Sequence, residues 1–128
     1  MIALLDTHAL IWLAFNSARL TPAVRGYLAD PAGVVYLSVV SVWEMVIKVG
    51  TGKLRLTKDV PTIVAEQLAA NPIQILPVTL AHVLGVGGLP SIHRDPFDRM
   101  LVAQAQAENA VLLTADPLVR RYPVPTDW

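Results

Sequence analysis

Cysteine is absent from this 128-residue chain. That excludes disulfides, thiolate metal sites and a cysteine nucleophile, and it agrees with a reducing cytoplasm, where the protein is expected to reside. Net charge is absent too, because ten acidic residues balance ten basic ones. Overall charge therefore gives no support for nucleic-acid binding, which has to rest on a local patch. No apolar run approaches the roughly 18 residues a membrane span requires, so no membrane association is expected. The first residues, Met1-Ile-Ala-Leu-Leu-Asp6, lack the basic start and cleavage site of a signal peptide and read as a strand. Repeats, low-complexity runs and linkers are missing as well. One domain over 1–128 is expected, large enough to bury a core without staples.

What is present is apolar. Hydrophobic residues make up 54% of the chain and the mean hydropathy is +0.51. Part of that surface is expected to lie under a partner. Ile2–Leu5, Val34–Ser38, Ile73–Leu76 and Val111–Leu113 are short apolar runs that suit buried strands, with a last edge strand expected near Val124. Between them lie helical patterns: Ala9–Phe15, Thr21-Pro22 to Leu28, Ser41–Val49, Val60–Ala70 and Thr79–Leu84. Thr21 before Pro22 is a helix start, and Ser41-x-x-Glu44 matches a capping box. Gly85-Val-Gly-Gly88 reads as a loop, since it neither follows a strand into a helix nor ends in Gly-Lys-Ser/Thr. Strands alternating with helices predict an α/β layered fold with a mainly parallel sheet.

The longest helical pattern starts at His93-Arg-Asp-Pro-Phe-Asp98 and runs to Ala107. Asp95 suits the N-cap, Pro96 the first helical position and Asp98 the first turn. In a parallel sheet, the loops leaving the carboxyl ends of the strands share one edge, where ligands bind. Asp6 follows the first strand, Glu44 lies near the start of the helix after the second, and Asp116 follows the fourth. Asp95 and Asp98 open a helix that begins at the same edge. Five of the ten acids thus converge. Each alone is explained as a helix cap. Together they repel and raise one another's pKa unless a cation sits between them. A hard divalent ion, Mg²⁺ or Mn²⁺, takes such oxygen ligands, and hydrolysis of a phosphodiester follows from that arrangement.

Four blocks in order then resemble a known family: Leu4-Leu-Asp6-Thr-His8, Ser38-Val-Val-Ser-Val-Trp-Glu44, His93-Arg-Asp-Pro-Phe-Asp98-Arg-Met-Leu-Val-Ala-Gln-Ala105 and Leu113-Thr-Ala-Asp116. Over essentially its whole length the chain resembles PIN domains, specifically the VapC-like toxins of bacterial type II toxin–antitoxin pairs. The resemblance implies a three-layer α/β/α fold with strand order 3-2-1-4-5. It implies a Mg²⁺- or Mn²⁺-dependent endoribonuclease, a homodimer, held inactive by a VapB-like antitoxin that covers an apolar groove. The family's acidic positions fall on Asp6, Glu44, Asp98 and Asp116, with Asp6 and Asp98 as primary metal ligands. Asp95 is an extra acid, expected to cap rather than ligate because Pro96 follows it.

Around these acids, Arg94, Arg99, Lys48, Lys53 and Arg55 are candidate phosphate contacts, or else solvated charges or partners for the acids. His8, His82 and His93 are scattered; His8 and His93 are candidate contacts to a substrate phosphate, but a lone histidine is more often structural. Thr7 and Thr114 are expected to hydrogen-bond the neighbouring carboxylates. Trp12 and Trp43, in apolar helices, read as core or interface anchors rather than base-stacking platforms. Two alternatives belong to other classes: a PIN-like binding module without catalysis, and a receiver-like phosphoacceptor domain. The second needs a lysine after a late strand, where this chain offers only Arg120 and Arg121.

Overall fold

A computed structural model describes all 128 residues, Met1–Trp128. Strands β1 (Ile2–Leu5), β2 (Val34–Ser38), β3 (Ile73–Leu76) and β4 (Val111–Leu113) form at the four expected apolar runs, and β5 (Thr126–Asp127) closes the chain. The last strand starts beyond Val124, where Tyr27 Oη donates to Asp127 Oδ2 at 2.9 Å and pins the C-terminal edge.

All pairings are parallel, in the order β3-β2-β1-β4-β5. This is the order the family resemblance implies. It differs from the 2-1-3-4-5 order of receiver-like folds, which removes the phosphoacceptor alternative at the level of topology. In register, Leu5 lies beside both Leu37 and Leu113. The three central strands therefore end level, and Asp6, Ser38 and Thr114 leave from one edge.

Side chains alternate across the sheet. Ala3, Leu5, Val35, Leu37 and Leu113 face a cluster that includes Leu10 and Val24, while Leu4 and Leu112 face Leu101 and Val102. The first group meets α1 (Thr7–Ala14) and α2 (Pro22–Ala29), and the second meets α6 (Pro96–Ala107). Both faces are thus covered, which explains the near-continuous apolar character of the strands. Each buried leucine contributes roughly 1.5–3 kcal/mol. Helix α3 (Val39–Gly50) straddles the layers, giving Met45 to one cluster and Val40 to the other.

Helix starts follow their caps. Thr21, Asp59 and Thr79 cap α2, α4 (Val60–Ala70) and α5 (Leu80–Val86) through side-chain oxygens. Three boundaries differ from the sequence reading. Helix α1 begins at Thr7, because Asp6 itself is the cap. Helix α3 begins at Val39, capped by Ser38, so Ser41 and Glu44 lie inside the helix and form no capping box. Helix α5 extends through Gly85 to Val86, so only the later glycines belong to the turn. Gly52, with φ +74°, and Asn109, with φ 52°, take left-handed conformations after α3 and α6, which suits these two residue types.

Candidate metal centre

Asp6 sits where β1 becomes α1. Its N–H donates to Leu113 O at 3.1 Å, extending the β1–β4 ladder by one residue, and its Oδ1 accepts from Ala9 N at 2.7 Å. The Thr114 hydroxyl accepts the Asp116 N–H at 3.1 Å and lowers the Asp6 pKa from beside it. Asp6 is only 6% exposed, and burial raises its pKa although Thr114 and the Ala9 N–H oppose the rise.

Glu44 points inward from the second turn of α3 and is 2% exposed. The Thr7 hydroxyl donates to Glu44 Oε1 at 2.6 Å and lies 3.1 Å from the Ser41 hydroxyl. Lys48, one turn along, binds Glu44 Oε2 and comes within 3.9 Å of Asp95 Oδ2. Burial disfavours the Lys48 charge, but the bond to Glu44 and the nearby Asp95 and Asp98 outweigh it and raise the pKa. Lys48 is therefore the chain's own counter-ion within the acidic cluster.

Asp95 is a cap, as its neighbour Pro96 indicates. Its Oδ1 accepts from Phe97 N at 2.8 Å and Asp98 N at 3.3 Å. Asp116 works similarly, Oδ1 accepting from Leu118 N at 2.8 Å, which leaves Oδ2 turned to the site. His93 joins these pieces. Its Nδ1 accepts the Asp95 N–H at 3.1 Å, which places the ring proton on Nε2. That nitrogen lies 3.2 Å from Asp98 Oδ2 and 3.3 Å from Asp116 Oδ2. Ligand atoms of His93, Asp98 and Asp116 all fall within 4.8 Å of one another. With Nε2 protonated, His93 serves that cluster as a donor to the carboxylates and has no lone pair there for a metal.

The electrostatics converge on Asp98, whose pKa is pushed up to about 7. Burial is the largest cause, followed by repulsion from Asp95 and Glu44; His93 lowers it and Asp6 adds to the repulsion. Asp6, Glu44, Asp95 and Asp98 are therefore one electrostatic unit even though only Asp98 of the four belongs to the tightest geometric set. An all-oxygen donor set short of positive charge fits a hard divalent cation.

The remaining candidates divide. Arg99 turns away and straps the Pro90 and Val86 carbonyls and the Tyr122 hydroxyl, so it is structural. His82 is structural too, buried between Thr79, Gln104 and Glu108. Arg94, Lys53 and Arg55 are exposed. Sequence reasoning missed the bridging role of His93, whereas partner of the acids was one of the readings it gave Lys48. The spacing of Lys48 four residues after Glu44 was a legible signal; the reach of His93 to Asp116 was not. Trp43 is 59% exposed and packs edge-on against Phe97 with ring centroids 5.0 Å apart. With Val39, Val83 and Met100 it lines an apolar cavity of about 530 Å³ beside the acidic edge.

No helix is long and apolar enough to cross a membrane. A search of curated proteins finds no match. Among solved structures, the chain is similar to VapBC2 from Rickettsia felis bound to a DNA fragment from its promoter, with a TM-score of 0.74, 17% identity and coverage of 99% of this chain and 98% of that one. It is also similar to VapBC-1 from nontypeable Haemophilus influenzae, with a TM-score of 0.66, 21% identity and coverage of 99% and 97%. FitAcB from Neisseria gonorrhoeae gives 0.59, 21%, and 98% and 96%. The family model described as PIN domain matches residues 3–125, and with the all-parallel 3-2-1-4-5 sheet this establishes that the chain belongs to the PIN domain family.

Proposed function

We propose that the protein is the toxin of a type II toxin–antitoxin pair and acts as a Mg²⁺- or Mn²⁺-dependent endoribonuclease. The observation that carries this reading is the convergence of the buried Asp6 and Glu44 with Asp98 and Asp116 at the carboxyl edge of the sheet. Membership of the PIN family and similarity to toxin–antitoxin structures support it.

Asp6 and Asp98 are the primary metal ligands in this reading, with Glu44 and Asp116 completing the set. The bound ion would lower the pKa of water and offset charge growing on the phosphate. The chain's own residues set the stage. The Thr7 hydroxyl fixes Glu44 Oε1, and the Ala9 N–H fixes Asp6 Oδ1. Lys48, paired with Glu44, offsets part of the cluster's negative charge. Glu44 is 2% exposed, whereas the side chain of Asp116 is 34% exposed. Asp116 is therefore the acid placed to orient an attacking water and take its proton.

The apolar groove around Trp43 is the proposed seat of the VapB-like antitoxin, and the protein is proposed to be a homodimer. Purified, antitoxin-free protein tests the enzymatic reading directly: RNA should be cut with Mn²⁺ and left intact with chelator. Cutting that chelator does not diminish would overturn it. A binding module without catalysis lacks support, since it gives no reason to bury mutually repelling carboxylates.

A further inference from the structure

The His93 ring reaches Asp98 and Asp116, while its backbone is held by Tyr122, which lies outside the acidic cluster. The Tyr122 hydroxyl accepts the His93 N–H at 2.8 Å and faces His93 O at 3.5 Å. It also accepts from Arg99 Nη1 at 3.1 Å. We propose that Tyr122, with Arg99 bonded to it, is a positioning residue of the metal centre: it fixes the His93 backbone, and through it the imidazole that orients Asp98 and Asp116. The proposal rests on the metal-dependent reading and extends it to two residues that touch none of the carboxylates.

A phenol has one proton and two lone pairs, and here all of them are directed at His93 or Arg99. The Tyr122 ring is 3% exposed and packs in the cluster of Leu101 and Val102, so close packing leaves its oxygen little room to shift. Tyr122 is also tied to Asp116 along the chain. Asp116 O accepts the Arg120 N–H at 3.1 Å, and Val119 O accepts the Tyr122 N–H at 3.1 Å, across a single 3-10 turn (Val119–Arg121). A closed circuit results: Asp116 leads through that turn to Tyr122, Tyr122 holds the His93 backbone, and the His93 ring returns to Asp116. Arg99 secures the other side. Its N–H bonds Asp95 O at 3.1 Å early in α6, and its guanidinium reaches Pro90 O at 2.9 Å and Val86 O at 3.3 Å. It thereby spans the loop between α5 and α6, which contains Gly87 and Gly88 and carries His93 and Asp95. Removing the phenol oxygen alone would leave the ring packing in place and take an acceptor from two buried or half-buried donors. The segment that aims the His93 ring would then lose its anchor.

Tyr122→Phe isolates the oxygen, and its fold should match the parent by circular dichroism. Its Mn²⁺ affinity by calorimetry should fall about tenfold, the low end of the loss when an orienting partner is removed. A double variant separates positioning from plain stability. Tyr122→Phe added to His93→Leu should cost no further affinity, because the imidazole through which Tyr122 acts is already gone. Losses that simply add would make Tyr122 a structural residue and overturn the proposal. Nitrogen-15 NMR of the imidazoles in chelator at pH 8 reads the same relationship without metal. The His93 signal, identified by its absence from His93→Leu, should show one tautomer protonated on Nε2 in the parent and a mixture in Tyr122→Phe. Arg99→Lys, which cannot reach all three acceptors, should also show a mixture. An unchanged tautomer in both Tyr122→Phe and Arg99→Lys would overturn the proposal. A parent that binds no Mn²⁺ would contradict the metal reading instead, and the tautomer in Tyr122→Phe would then decide by itself whether Tyr122 positions His93.

Discussion

His93 Nε2 lies 3.2 Å from Asp98 Oδ2 and 3.3 Å from Asp116 Oδ2, so one imidazole N–H spans two carboxylates carried by different elements. Its other nitrogen is fixed by the Asp95 N–H, which leaves it a single role as donor. Removing that donor should loosen both carboxylates and weaken Mn²⁺ binding roughly 10- to 100-fold, as loss of orienting partners does elsewhere. His93→Leu should show this loss by calorimetry, and His93→Gln, which keeps a donor of similar reach, should recover most of it. Equal affinity in His93→Leu and the parent would remove the bridge from the account.

In the proposed reading, Asp98 ties metal binding to pH. Its carboxyl titrates near 7 in the folded protein and at 3.8 ordinarily, so the fold holds a proton across that window that the unfolded chain has released. Stability should therefore fall as pH rises from about 4 to 7, and the raised pKa of Asp6 acts in the same direction. Thermal melts in chelator should give a lower Tm at pH 8 than at pH 5, and Mn²⁺ should raise Tm more at pH 8. Asp98→Asn should melt higher than the parent in chelator at pH 8 and lose the Mn²⁺ response. A parent Tm in chelator that does not change between pH 5 and 8 would argue against a strained carboxylate cluster.

Lys48 makes the opposite case, because its removal strands a buried acid. Lys48→Met should cost about 2 kcal/mol in urea unfolding at neutral pH, the usual size for a lost hydrogen bond to a charged group. Adding Glu44→Gln to that variant should restore most of the loss, since no charge is then left unpaired. Failure of the double variant to recover would mean that Lys48 stabilises through packing of its stem instead.

Strand positions were legible because both faces of this sheet are covered, and short continuous apolar runs such as Ile2–Leu5 have few other uses. Acids at strand ends were legible for the same reason: topology alone carries Asp6 and Asp116 to one edge. The start of α3 was not. Ser38 and Ser41 are both reasonable caps by type, and only the structure shows Ser38 bonding Val40 N while Ser41 is buried beside Thr7. Pairings across the chain were equally hidden, since His93 meets Asp116 through tertiary packing that no local spacing encodes. Trp12 and Trp43 illustrate the limit of side-chain type as a guide: one backs onto Trp128 at the core, and the other stands 59% exposed in a groove.

That groove gives a further expectation. Trp43→Asp should leave the monomer folded, because the indole is mostly outside the core, and should abolish retention of a cognate antitoxin on co-purification. Undiminished retention would place the antitoxin on another face.

The central claim is that Asp6 and Asp98 hold a divalent cation that cuts RNA. Its most direct test is cleavage by antitoxin-free protein in Mn²⁺ beside Asp6→Asn and Asp98→Asn, with matched folding confirmed by circular dichroism. Cleavage should need the metal and should fall at least about 100-fold in each variant, roughly the loss expected when a group that stabilises the transition state is removed. Metal-dependent cleavage that persists in both folded variants would contradict the assignment of the site.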